Sequence, residues 1–180
     1  MKKYTILLVM AMIFAIGHSV AQTYKTSTGE ISFVSKTDFE TFEAVNNQVT
    51  AAYSNGKVQF RVPINAFIFE KKLMQTHFQE NYMESAKYPN GSFKGTVVTP
   101  ENFKISNKEQ TVTVKGTFNI HGVEKEMEVN GTLQNTEEGL KLNANFQILL
   151  SDYEIGVPSN LMAKISQNIE VKVKALLNSK

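Results

Sequence analysis

Apolar and polar residues alternate along most of this chain. One stripe begins at Ile31 and Phe33, and Val49, Ala51 and Tyr53 suggest a second. Val58, Phe60, Val62 and Ile64 form a third, with Gln59 and Arg61 facing the other way. Phe93, Gly95 and Val97 follow, then a longer run of Val112, Val114, Gly116, Phe118 and Ile120. Met127, Val129, Gly131 and Leu133 alternate with Glu126, Glu128 and Asn130. The strongest stripes come last: Leu140, Leu142, Ala144, Phe146, Ile148 and Leu150, then Ile165, Ile169, Val171, Val173 and Ala175. A period of two marks strands with one apolar and one wet face, as in antiparallel sheets that meet solvent on one side. Asn55-Gly56, His121-Gly122 and Glu138-Gly139 punctuate them like hairpin turns. About eight strands joined mainly by short turns predict an all-β fold, either a closed barrel or a two-sheet sandwich. Closure would also remove the exposed edges that invite aggregation.

Two stretches break the alternation. Leu73–Phe93 reads as a short amphipathic helix, a stop and the start of a strand. At ~100° per residue, Leu73, Met74, His77, Phe78 and Tyr82 fan across one broad side, leaving Lys71, Lys72 and Glu84 for water. Tyr88-Pro89 is expected to end the helix, because a proline ring drives the preceding residue out of the helical region. The second break, Ser151–Lys164, contains Gly156 and Pro158 and predicts a loop or lid.

The same residues resemble the YceI-like family. Its members carry a similar LM..HF...Y.E..KYP...F passage, here Leu73–Phe93, after a strand ending in Val-Pro-Ile, here Val62-Pro63-Ile64 with Phe67 and Phe69 beyond it. Phe118-Asn119-Ile120-His121-Gly122-Val123 and Ser151-Asp152-Tyr153-Glu154-Ile155 add to the match. The resemblance implies an antiparallel, roughly eight-stranded lipocalin-like barrel with one short inserted helix. It also implies an exported protein that binds or carries an isoprenoid-type lipid, polyprenyl or quinone-like, in a hydrophobic tunnel. Many relatives place glycine around a phenylalanine between the first two strands. Here Asp38-Phe39-Glu40-Thr41-Phe42-Glu43-Ala44 is bulkier and charged, so one tunnel mouth is expected to differ.

The beginning of the chain reads as an export signal. Lys2 and Lys3 precede the apolar run Ile6–Ile16, and Ser19-Val20-Ala21 supplies the small residues of a cleavage site. Residues 1–21 are therefore expected to be removed, leaving 22–180 as one barrel domain in the periplasm, or secreted. The apolar run is well short of the ~20 residues that span a bilayer. With no cysteine, stability must come from packing, although export permits disulfides. The formal charge of +2 includes Lys2 and Lys3, so the exported part is close to neutral. That removes the electrostatic case for nucleic acid as a partner. The expected partner is a hydrophobic small molecule or lipid; transient membrane contact and a dimer are both compatible with it.

An eight-stranded barrel can be filled by its own side chains or hold one small ligand. Abundant phenylalanine, twelve in all with Phe14 in the leader, favours a lined interior. So do the glycines interrupting the stripes at 95, 116 and 131 and the helix that could cap one mouth. Each feature also suits a filled barrel acting through its loops as an interaction or stress protein. The tunnel candidates are Phe60, Met74, Phe78, Phe93, Phe118, Phe146 and Ile148, with His77 and Tyr82 near the polar end. His77 could touch a ligand head group, ligate a metal, or be a buried ring bonded to a backbone carbonyl. No metal-site spacing surrounds it, and no cofactor is expected beyond the lipid itself. His121 reads as a tolerated turn residue and Asp152 as a turn former. The run Glu124–Glu128 reads as a solvated hairpin face. No GxSxG elbow accompanies Ser151 and Asp152, so no catalysis is expected.

Overall fold

Alternating side chains need a curved sheet with an inside and an outside, and the chain builds one. The computed structural model describes residues 22–100 and 103–179, so the expected signal at 1–21 lies outside the described residues. Nine strands follow in order: β1 (Thr23–Lys36), β2 (Thr41–Ser54), β3 (Lys57–Pro63), β4 (Ile68–Phe69), β5 (Asn90–Val98), β6 (Gln110–Ile120), β7 (Val123–Thr136), β8 (Gly139–Leu149) and β9 (Asn168–Ser179). All pairings are antiparallel, and β1 pairs with both β9 and β2. The eight long strands thus close into a barrel, and the two-residue β4 adds to β2 at Ala44 and Val45. The sandwich alternative is excluded.

Local chemistry sets the bends. Asn55 and Gly56 take φ of 49° and 74°, and His121 and Gly122 take 54° and 79°. Paired positive φ values define the two-residue turn whose twist matches its flanking strands. β1 slips register on either side of Gly29, and such bulges bend a long strand around a narrow barrel. Gly116 lies directly opposite Gly95, and a Cβ there would collide with the Lys94 carbonyl. This stripe glycine therefore permits close strand approach and does not add room.

The interior divides lengthwise. At one end Tyr53, Val58, Leu133, Leu140, Leu142 and Leu177 pack into a mainly aliphatic plug. At the other end, connections replace strands. Between Pro63 and Asn90 the chain makes a 3-10 turn (Ile64–Ala66), β4, helix α1 (Lys72–His77) and one π turn (Phe78–Tyr82). This cap is tied down by the Ile64 N–H donating to the Pro89 carbonyl (2.9 Å) and Gln79 Nε2 donating to the Asn65 carbonyl (3.0 Å). Buried Asn46 holds its base: Nδ2 donates to the Pro63 carbonyl at 2.8 Å while Oδ1 accepts from the Gln48 N–H.

The cap corrects the expected helix. α1 ends at His77, the π turn follows, and left-handed Glu84 (φ 42°) turns the chain well before Tyr88-Pro89. In so short a helix the inward ridge is narrow: Met74, Phe78 and Tyr82, each four apart, pack against the core. Leu73 and His77 form the neighbouring ridge, which faces solvent. The second break in alternation is a lid of two 3-10 turns, Leu150–Tyr153 and Ser159–Leu161. The Ser166 N–H anchors it by donating to the fully buried Ser35 hydroxyl at 3.0 Å.

Candidate ligand cavity

The capped end contains a cavity of about 380 Å³. Strand residues Phe33, Phe42, Val62, Ile120 and Ile148 form its walls; Phe67, Phe69, Met74, Phe78 and Tyr82 of the cap and Leu161 and Ile165 of the lid close over it. Its lining is almost wholly apolar, and the polar exceptions Glu40, Lys71, His77 and Lys164 come from the turn, cap and lid. A second, deeper cavity of about 70 Å³ lies toward the plug, lined by Phe60, Phe93, Val114 and their neighbours. Ile31, Val62, Phe118 and Phe146 border both cavities, so these side chains form the partition. A barrel filled throughout does not describe this molecule.

Rings stacking on one another keep the upper space open. Phe33 stands with its centroid 5.2 Å from Phe67, 5.8 Å from Phe69 and 5.4 Å from Phe78. Phe78 in turn lies 5.1 Å from Phe69 and 5.4 Å from Phe67. Such contacts are worth ~0.5–1.5 kcal/mol each beyond area burial, so these rings are held as a wall by their mutual contacts. Phe118 meets Phe146 edge-to-face at 6.3 Å and Tyr153 at 5.4 Å, which fixes the partition. Burial raises the Tyr82 phenol above its ordinary pKa. It therefore stays a neutral hydroxyl at physiological pH, with no hydrogen-bond partner among the described residues.

Met74, His77, Phe78, Tyr82 and Ile148 border the larger cavity, Phe60 and Phe93 the smaller, and Phe118 and Phe146 both. His77 is exposed at the rim and makes no hydrogen bond among the described residues, which corrects the reading of a buried ring bonded to a carbonyl. Sequence reasoning omitted Phe33, Phe42 and Ile165, although Phe33 and Ile165 lay in recognised stripes; Ile165 belongs to the lid, because β9 begins at Asn168. Among the described residues, no three of His, Cys, Asp and Glu converge as a metal site. Asp152 belongs to the first lid turn, as expected, but its carboxylate also receives Lys125 Nζ at 2.8 Å. Lys125 is opposite inward-facing Phe118 in the β6–β7 register, so it leaves the solvated face to which its neighbours belong.

His121 does more than tolerate a turn. Its Nδ1–H donates to the Tyr153 carbonyl at 3.1 Å, and its ring lies 4.8 Å from Tyr88. Nε2 stands 3.5 Å from Glu84 Oε2, an ion pair whenever the ring carries both protons. Gly122 beside it takes φ 79°, and a Cβ there would strike the Tyr88 ring at 2.5 Å. Three non-glycine residues with left-handed backbone, Glu84, His121 and Glu154, come together at this latch. It joins cap, β6–β7 hairpin and lid. Strain of this kind persists only where the surroundings over-determine it.

Residues 11–177 match the model of the YceI-like domain family. Among solved structures, the fold is similar to a polyisoprenoid binding domain from Saccharophagus degradans implicated in plant cell wall breakdown. The TM-score is 0.75 at 16% identity, covering 88% of this chain and 98% of that one. BcnA of Burkholderia cenocepacia follows with a TM-score of 0.67 at 15% identity, covering 83% and 96%. The YceI protein of Campylobacter jejuni gives 0.56 at 17% identity, covering 71% and 74%. No curated protein matches the chain. At these identities the structural likeness establishes the fold.

Proposed function

The chain belongs to the YceI-like domain family, and from that premise we propose that it binds an isoprenoid-type lipid, polyprenyl or quinone-like, in the capped end of its barrel. The apolar cavity between cap and strands carries this reading. Each buried methylene contributes ~0.8 kcal/mol before ordering costs, so tail burial alone supplies the attraction. Few polar contacts are needed, and selectivity falls to the cavity's length and shape. The polar group of the ligand lies toward Glu40, Lys71, His77, Lys164 and the Tyr82 hydroxyl. Binding without catalysis fits the lid and latch: Asp152 is paired with Lys125, and His121 Nδ1 donates to the Tyr153 carbonyl. The polyisoprenoid-binding relative from Saccharophagus degradans supports the same ligand class.

Size sharpens the proposal. At the ~30 Å³ that one water takes in the liquid, the 380 Å³ cavity holds about a dozen carbons, and a further 70 Å³ lies behind the partition. A longer chain must displace the Phe118–Phe146 partition or leave its remainder outside. The leader Lys2–Ala21 supports action in the periplasm, or after secretion. Mass spectrometry of organic extracts from purified protein tests the proposal. An isoprenoid or related lipid is expected in stoichiometric amount. Repeated recovery of none, with no uptake of added farnesol or longer polyprenols, overturns it.

A further inference from the structure

Among the described residues, the four most exposed large hydrophobic side chains are Phe39 (78%), Leu73 (67%), Ile68 (64%) and Met162 (57%). Three of them adjoin cavity-lining residues along the chain: Phe39 precedes Glu40, Leu73 precedes Met74, and Met162 follows Leu161. Ile68, between lining residues Phe67 and Phe69, faces outward from β4. The four come from three separate segments: the β1–β2 turn, the cap and the lid. Only the closed fold brings these segments together over the cavity. Scattered exposed hydrophobics need no explanation, but three on the separate segments that close over one apolar cavity do.

We propose that this rim seats the protein on a phospholipid bilayer, with the cavity mouth turned toward the membrane. The inference rests on the lipid-binding reading, because a lipid's source and destination are bilayers and a seated mouth spares its tail from crossing water. A second copy docked on the same surface would cover the opening. The charges fit a bilayer. Lys71 and Lys72 adjoin Leu73, and Lys164 follows Met162 closely; none of the three has an ion-pair partner among the described residues. Their apolar stems can lie along the inserted side chains while the ammonium groups stay at phosphate level. Asp38, Glu40 and Glu70 nearly balance these lysines and Lys36. Docking is therefore driven by apolar insertion and responds weakly to salt.

The chain contains no tryptophan, so a single introduced indole reports its own position. With vesicles of phosphatidylethanolamine and phosphatidylglycerol, Leu73→Trp emission is expected to shift to the blue and to be quenched by brominated acyl chains. Leu176→Trp, placed near the closed end, is expected to do neither. In vesicle sedimentation, the triple variant Phe39→Ser, Leu73→Ser, Met162→Ser is expected to bind on the order of tenfold more weakly than the unmodified protein. None of these residues lines the cavity, so the variant should still take up farnesol dispersed from ethanol. Indistinguishable spectra at Leu73→Trp and Leu176→Trp, or equal sedimentation of variant and unmodified protein, overturns the proposal. So does a concentration-dependent dimer in ultracentrifugation that the triple variant dissociates, since the surface then belongs to a second copy. Vesicle binding that follows the rim while farnesol uptake fails throughout keeps the docking surface and defeats the cavity reading instead.

Discussion

The two ends of this barrel are built from the same alternating strands yet pack in opposite ways. At the plugged end, Leu133, Leu140 and Leu177 are almost wholly buried and interlock across the interior. Branched aliphatic chains have enough rotamers and little enough width to fill most of a narrow bore, leaving only the smaller cavity beside Leu133 and Leu142. At the capped end, the chain supplies rings. Phe33, Phe67, Phe69 and Phe78 lean on one another at 5.1–5.8 Å and leave the space beside them open. Mutually braced rings, with aliphatic residues beside them, wall the larger space; at the other end mainly aliphatic side chains leave only the smaller one. Whether a small barrel stores or merely stands thus depends on which side chains occupy the inward positions at each level.

The contrast can be broken at several points. Leu177→Ala, deep in the plug, should cost about 2–5 kcal/mol, read by chemical denaturation, while lipid uptake per folded molecule stays unchanged. Phe118→Ala should lose well under the ~3–5 kcal/mol that this change costs in a filled core, because its ring borders a cavity on each side. It should also raise uptake of prenols longer than farnesol by joining the two spaces. A full-sized loss without any gain in uptake would show that the partition is ordinary core. At the latch, His121→Ala removes the donor to the Tyr153 carbonyl and should cost about 1–2 kcal/mol. Hydrogen exchange should quicken in the cap and the lid but not in the plug. Met74→Trp fills the upper space and should abolish uptake with a stability change within about 1 kcal/mol. The smallest effect belongs to Lys125→Ala, whose half-exposed partnership with Asp152 is worth about 0–1 kcal/mol in thermal melts.

Much of this architecture could be read from alternation alone, because period two survives wherever one face is buried. The inward residues of β3, β5, β6, β8 and β9 follow from it directly. The walls of the upper cavity were harder. Leu73 carries the same apolar character as Met74, and only the early end of α1, with the π turn after it, decides which ridge faces inward. His121 gave the signal of a turn residue, which it is; its bond to the Tyr153 carbonyl and the approach of Nε2 to Glu84 join segments distant in sequence and leave no local trace. Lys125 sat in an acidic run, but it shares the parity of the Met127–Leu133 stripe, and the register opposite Phe118 shows that the inward face extends to it. The openness of the bore depends on ring orientations set by contacts among four segments. Composition shows that phenylalanine is abundant, not how it stands.

One feature of the connectivity bears on how such a molecule changes over time. The cap leaves the wall at Pro63 and returns at Asn90, and those two residues are direct partners across adjacent strands. Residues 64–89 thus form a detachable nozzle whose two fittings already touch. Lengthening, shortening or rewriting it touches the short β2–β4 ladder but leaves the pairing of the eight long strands undisturbed. Diversification of cargo can proceed in that one piece while the vessel below stays the same.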